Sequence, residues 1–250
     1  MSVTAPMWCQ EGPVDGTVEA VEQPSGDRPA LIIAGGEGPA TNELPTTLVA
    51  GTLVIAADSG LDTAQRLGID VDVAIGDFDS ASATGLAAAT NAGVEVIAHP
   101  ADKNATDLEL ALEFAVARGV DDVTVIGANG GRFDHELANI LLLCSSSWAS
   151  MAITIVDERA RSLVVHRSRT LPVGEGALVT LLPIAGTATG VTTTGLAWKL
   201  SDATLAPGST RGVSNVAVEP LPIVSVANGT LIAVLPWTSQ EATTTLPSGT

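Results

Sequence analysis

The chain holds 250 residues, with 11 Lys+Arg against 28 Asp+Glu, a formal net charge of −17 and 46% hydrophobic residues. That apolar content sustains a core and excludes a disordered chain. So negative a surface repels phosphate backbones and anionic lipid, so neither a nucleic acid nor a membrane is expected as partner. A cationic ligand, or a divalent metal bridging to an anionic one, fits the charge.

The acidity is uneven. Residues 1–136 carry 22 acids and 5 bases, whereas 137–250 carry six of each, so a composition break divides the chain. Two cysteines, Cys9 and Cys144, cannot frame a chain of this length with disulfides. The N-terminus shows no basic stretch followed by an apolar core. The uncharged runs 137–156, 176–198 and 220–240 are each broken by Ser, Thr, Gly or Pro. A soluble, cytoplasmic protein is expected.

Residues 1–28, rich in Glu, Gln, Pro and Gly, read as a flexible tail with a short strand at 17–21. From Ala30, apolar runs at 30–34, 53–57, 71–75, 94–98 and 123–126 read as buried strands. They alternate with helical patterns at 61–67, 83–92, 106–118 and 134–144. Thr106-Asp107-Leu108-Glu109 forms a capping box, with Thr106 as N-cap. This alternation predicts a parallel α/β domain over 29–160, its sheet covered on both faces. After a strand at 151–156, short Thr/Val-rich runs at 163–165, 178–182, 190–194, 213–218, 223–226 and 231–235 predict an all-β sandwich over 161–250. Asn228-Gly229 is read as a hairpin turn.

Ligands of open parallel sheets bind beyond the carboxyl ends of the strands, and there the polar residues gather. Ala57-Asp58-Ser59-Gly60 follows the second strand and Gly76-Asp77-Phe78-Asp79-Ser80 the third. Lys103 and Thr106-Asp107 follow the fourth, and Gly127-Ala128-Asn129-Gly130-Gly131-Arg132-Phe133-Asp134-His135 the fifth. Asp58, Asp77, Asp79, Asp107 and Asp134 are expected to converge on one rim, where like charges repel unless a cation sits among them. Mg2+ takes such oxygen ligands and shares them with phosphates. Lys103, one of two lysines, and Arg132 are the candidate phosphate neutralisers, beside backbone N–H groups of the Gly127–Gly131 loop.

Singly, each feature has a plain structural alternative: Asp107 complementing a helix dipole, Asp134 as an N-cap, Lys103 and Arg132 in surface ion pairs. Their shared place at one sheet edge favours the functional reading. His135 reads as a helix first-turn residue that orients its neighbours; Phe78 and Phe133 read as anchors beneath their loops. Cys144 reads as core, and His99 and His166 as bystanders. Neither a P-loop nor a Gly-x-Gly-x-x-Gly fingerprint is present. Beside Gly195, Trp198 reads first as a sandwich core residue and second as a platform for a flat, cationic ring.

Together these segments resemble the thiamine pyrophosphokinase family, with Gly195 to Leu200 and Ser214-Asn215 matching more weakly. The likeness runs from about Ala30 to Leu235. It implies an α/β nucleotide-binding domain followed by a β-sandwich, a homodimer, and Mg2+-dependent transfer of pyrophosphate from ATP to thiamine, releasing AMP. It implies Asp58, Asp77, Asp79, Asp107 and Arg132 as catalytic, with Asp77, Asp79 and Asp107 on the metal. Lys103, Thr106, Gly130, Gly131, Arg132, Asp134 and His135 would take ATP, and Trp198, Ser214 and Asn215 thiamine. Asn104 stands where many members carry Asp, which removes a charge from that position. A hydroxymethyl pterin as acceptor, or a non-catalytic sensor of nucleotide or thiamine phosphate, are the competing readings.

Overall fold

The computed structural model describes residues 28–36, 38 and 48–237; Cys9, the tail through residue 27 and the strand read at 17–21 lie outside them. Chain order gives β1 (Pro29–Ile33), β2 (Leu53–Ala57), α1 (Gly60–Leu67), β3 (Val73–Gly76), α2 (Ala83–Ala92), β4 (Glu95–Ala98), α3 (Asp107–Ala117), β5 (Asp122–Ile126), α4 (Phe133–Leu143) and β6 (Ala152–Val156). The expected α/β alternation is present nearly residue for residue. Local chemistry sets the helix ends. Thr106 Oγ1 accepts from Glu109 N–H at 3.2 Å and starts α3. Gly68, at φ +68°, ends α1 by donating back to Ala64 and Gln65.

Strands β4-β3-β2-β1-β5-β6 lie side by side, all parallel. Because successive side chains alternate, each strand feeds two cores. Ile32, Ile55, Ile75 and Val125 pack against Leu108, Leu112 and Ala115 of α3 and Leu143 of α4. Leu31, Ile33 and Val54 pack with Ala64 of α1, while Ala56 and Ala74 pack with Leu61 and Ala89 of α1 and α2. The run at 94–98 is not buried as expected. It forms β4, the edge strand with one neighbour, and Val96 is 38% exposed.

The second half contains β7 (Ala160–Val165), β8 (Ser168–Thr170), β9 (Leu178–Thr194), β10 (Ala203–Leu205), β11 (Asn215–Val216), β12 (Ile223–Ser225) and β13 (Asn228–Pro236). No helix occurs among its described residues, as expected. The runs 178–182 and 190–194 are one strand, β9. It pairs with β13 through Thr180–Ile184, skips register, and pairs with β12 through Thr192–Thr194. Asn228-Gly229 makes no hairpin, since β12 and β13 pair with different stretches of β9. Gly229, at φ +89°, lies instead where the register shifts.

Leu163, Val165, Leu231, Ala233 and Leu235 face a second core, closed by Leu171, Val191, Leu196, Leu205 and Val224. The alternate residues Val164 and Ile232 face the α/β core. Strand β7 pairs antiparallel with β6 and with β13, so one hydrogen-bonded ladder runs from β4 into the all-β half. Among the described residues, no helix is long and apolar enough to cross a membrane.

Candidate active site

The strand order 4-3-2-1-5-6 reverses between β1 and β5, and a crevice opens there at the carboxyl ends. Its two walls touch closely. Gly36 N–H donates to Gly127 O at 2.9 Å, and a Cβ on Gly36 would lie 2.0 Å from Asn129 O. The resulting cleft of about 890 Å³ is lined by Asp58, Asp77, Asp79, Lys103, Thr106, Asp107, Gly130, Gly131, Arg132 and His135, among others. Its size suits a nucleotide-sized ligand.

Each acid is placed by the element before it. Asp58 follows β2 with φ +48°, its N–H bonded to Ile75 O at 2.9 Å and its C=O accepting from Leu61 N–H at 3.2 Å. A non-glycine residue held in this conformation at a strand end is characteristic of functional sites. After β3, Phe78 also turns with φ +58°, so that Asp77 and Asp79 flank the turn, with Asp79 N–H on Asp77 Oδ1 at 3.2 Å. The loop beyond is tied to α1 through Asp62, which accepts from Ser82 N–H at 2.8 Å and from the Ser82 hydroxyl.

Ligand oxygens of Asp58, Asp77 and Asp79 all lie within 4.8 Å of one another. Asp107 lies beside this trio, joined to it through Lys103, whose Nζ contacts Asp77 Oδ2 at 2.7 Å and Asp107 Oδ1 at 3.0 Å. The bond from Lys103, then that from Asp79 N–H, holds the Asp77 carboxyl below its ordinary pKa. Burial draws Lys103 down, but its two carboxylates outweigh this and hold the ammonium above its usual value. Asp58 goes the other way. Burial, with the charges of Asp107, Asp77 and Asp79 adding to it, raises its pKa. Its Oδ1 is shielded from solvent and has no hydrogen-bond partner among the described residues. A fully enclosed carboxylate oxygen facing two more carboxylates is a donor set that a hard, oxygen-seeking cation satisfies.

The fifth acid does not converge. Asp134 is exposed and accepts from Arg132 Nε at 3.1 Å and Nη2 at 2.5 Å, which holds its carboxyl at about 2. Nor does it cap α4, whose N-cap is Arg132 without a side-chain cap bond. Phe78 is half-buried against the α1–α2 side of the sheet, but Phe133 is 75% exposed and anchors nothing. Cys144 is fully buried at the end of α4, its thiol pushed up to about 12 by burial.

Sequence reasoning missed Gly35, Gly36 and Arg66, which also line the cleft. A glycine pair directly after the first strand was the available signal; Arg66, two turns into α1, left none.

In the all-β half, Trp198 is not core: it is 63% exposed, and Leu178, Val213 and Val218 are exposed as well. Ser214 is exposed with φ +57°, and Asn215 is 3% exposed. Among the described residues that line the cleft there is no Phe or Trp.

A cleft of carboxylates and a lysine at the carboxyl rim of a parallel α/β sheet, continued into an all-β unit, has the make-up of a site for a phosphorylated ligand. Residues 45–155 match "Thiamin pyrophosphokinase, catalytic domain" and residues 164–245 "Thiamin pyrophosphokinase, vitamin B1 binding domain". The chain belongs to the thiamin pyrophosphokinase family. It is 29% identical over 211 residues to thiamine pyrophosphokinase of Bacillus subtilis, covering 81% of this chain and 96% of that one. Thiamine pyrophosphokinase 1 of Oryza sativa is 30% identical over 166 residues, 62% of each chain. The solved thiamin pyrophosphokinase from Geobacillus thermodenitrificans superposes with a TM-score of 0.69 at 28% identity, over 84% of this chain and 98% of that one.

Proposed function

We propose that this chain transfers the pyrophosphoryl group of ATP to the hydroxyl of thiamine, giving thiamine diphosphate and AMP. The observation that carries the proposal is the gathering of Asp58, Asp77, Asp79 and Asp107 around Lys103 in a nucleotide-sized cleft. That cleft lies in a chain whose second half matches a vitamin B1 binding domain.

In this reading residues 29–160 form the catalytic unit and 161–250 the thiamine-binding unit. Asp77 and Asp79, with Asp58 at the third corner, would hold Mg2+, and the enclosed, unpartnered Asp58 oxygen supports that fit. When bound, Mg2+ neutralises these carboxylates and draws charge from the phosphate oxygens. Lys103 keeps Asp77 ionised and turns its ammonium toward the triphosphate, with Asp107 fixing its direction. Thr106, Gly130, Gly131 and His135 line the phosphate side, and Arg132, pre-aligned by Asp134, reaches the same groups from the rim.

Asp107, which lines the cleft outside that trio, would take the proton as the thiamine hydroxyl attacks the β-phosphorus. The new bond joins that oxygen to the β-phosphorus, and the bond to the α-phosphate oxygen breaks to release AMP. Catalysis is then positioning and charge stabilisation.

The thiazolium of thiamine is attracted by the acidic rim and held on an aromatic face. Among the described residues no Phe or Trp lines the cleft, and Trp198 lies exposed on the other half. We therefore take the working unit as a homodimer in which Trp198, with Ser214 and Asn215 beside it, completes the thiamine pocket of the partner copy. The cytoplasm is its expected place.

The test is product identification. ATP, thiamine and Mg2+ should yield AMP and thiamine diphosphate in equal amounts; ADP, or nucleotide turnover independent of thiamine, would refute the proposal.

A further inference from the structure

The segment ending in Trp198 lies antiparallel to the one starting at Asn215. Val218 N–H donates to Gly195 O at 2.9 Å, Leu196 bridges Ala217, and Ala197 N–H donates to Val216 O at 2.9 Å. One pair further Trp198 faces Asn215, a position where an antiparallel ladder has no backbone bond. Beyond it the pairing ends, as Ser214 turns the chain aside at φ +57°, its N–H held by Thr180 Oγ1 of β9 at 3.0 Å. The Asn215 side chain instead bonds the Trp198 backbone. Its Oδ1 accepts from Trp198 N–H at 3.1 Å and its Nδ2 donates to Trp198 C=O at 2.8 Å. The same Oδ1 accepts from Val216 N–H at 2.9 Å, which fixes which amide atom is oxygen.

Three of the four hydrogen-bonding positions of this amide are therefore spent inside the chain, and the residue is buried. The indole it positions is 63% exposed. An exposed aromatic ring on an otherwise free loop would lose conformational freedom on binding a ligand; one whose backbone is already clamped loses less.

We infer that Asn215 is a positioning residue that acts through Trp198, holding the indole ready for a flat cationic ring, rather than a group that touches the ligand. The inference deepens the thiamine reading and rests on it for its kinetic consequence. The clamp itself stands independently.

The test has a ligand-free arm and a kinetic arm. In the full-length protein, Asn215→Ala should speed hydrogen exchange of the Trp198 amide by about tenfold or more, while the Leu31 amide in β1 is unaffected. With thiamine as substrate, Asn215→Ala should raise the thiamine KM about tenfold, leave the ATP KM within about twofold, and lower kcat by less than about twofold. In a Trp198→Ala background the same change should add less than about twofold, because a residue acting only through the indole has nothing left to act on. Unchanged Trp198 exchange, or KM effects that multiply in the double variant, would overturn the inference. Should Asn215→Ala fail to fold, Asn215→Asp carries the same comparisons, since its Oδ1 can keep both acceptances while its second oxygen, charged and without a hydrogen, repels the Trp198 C=O. A wild-type protein without thiamine turnover would sink the proposed function, while the exchange arm would still decide the clamp.

Discussion

Asp58→Asn should abolish turnover and yet make the ligand-free protein more stable. Asp58 shares its corner with Asp77 and Asp79, has an oxygen with no partner, and is held above its ordinary pKa by burial and by its acidic neighbours. The amide keeps an oxygen of the same shape and removes one of the repelling charges. Relief of an unfavourable charge of this kind contributes about 1 kcal/mol. With an unfolding entropy of about 0.5 kcal/mol/K for a chain of 250 residues, that corresponds to a Tm rise of about 2 °C at pH 7.5 without Mg2+. The sign of the pH dependence follows from the raised pKa. Below the ordinary carboxyl range Asp58 is protonated folded or unfolded and carries no penalty. The penalty grows as pH rises through the higher folded value. The advantage of the variant should therefore be full at pH 7.5, shrink as the pH falls toward 4 and vanish below the ordinary carboxyl range. Differential scanning calorimetry across pH, with EDTA and with Mg2+, reads this directly. Mg2+ should raise the wild-type Tm more than that of the variant. A variant less stable at pH 7.5, or an advantage unchanged at pH 4, would refute the charge argument.

Lys103→Met should lower kcat by about 100-fold or more with far-ultraviolet circular dichroism preserved, because the ammonium lines the cleft and belongs to none of the apolar cores. Arg132→Ala should raise the ATP KM while shifting Tm by less than about 1 °C, since its ion pair with Asp134 is solvent-exposed. Leu112→Ala, under the helix that carries Asp107, should cost about 3 kcal/mol and lower Tm by about 6 °C in a thermal melt. Native Cys144 should resist thiol reagents over minutes at pH 8, reacting only after denaturation in a colorimetric thiol assay.

The α/β half was legible because a parallel sheet covered on both faces demands continuous apolar strands, and runs such as 30–34 and 53–57 have no other use. The acids were legible for a related reason: each follows a strand end, where the fold itself directs it to one rim. Asp134 escaped that logic because Arg132, two residues away, captures it at the surface. The all-β half read poorly. Pro183, Gly186 and Gly190 look like punctuation between two strands, but a register skip lets β9 carry all three through. Gly229 sits in the same skip and so mimicked a turn. Trp198 looked like core because a Trp beside a glycine among Thr/Val-rich strands fits a buried place; its backbone is held by Asn215, 17 residues away, which no local pattern reports.

Strands β7 and β13 place Val164 and Ile232 in one core and Leu163, Leu231 and Ala233 in the other. A cut near residue 160 would therefore strip the inner half of a wall from the catalytic unit and bare an apolar strip on the thiamine-binding unit. The two functional halves are in this sense one folding unit, sharing a party wall instead of meeting at a joint. Heat or denaturant should melt them in a single transition, and the geometry that carries Trp198 is anchored, strand by strand, to the sheet that carries the aspartates.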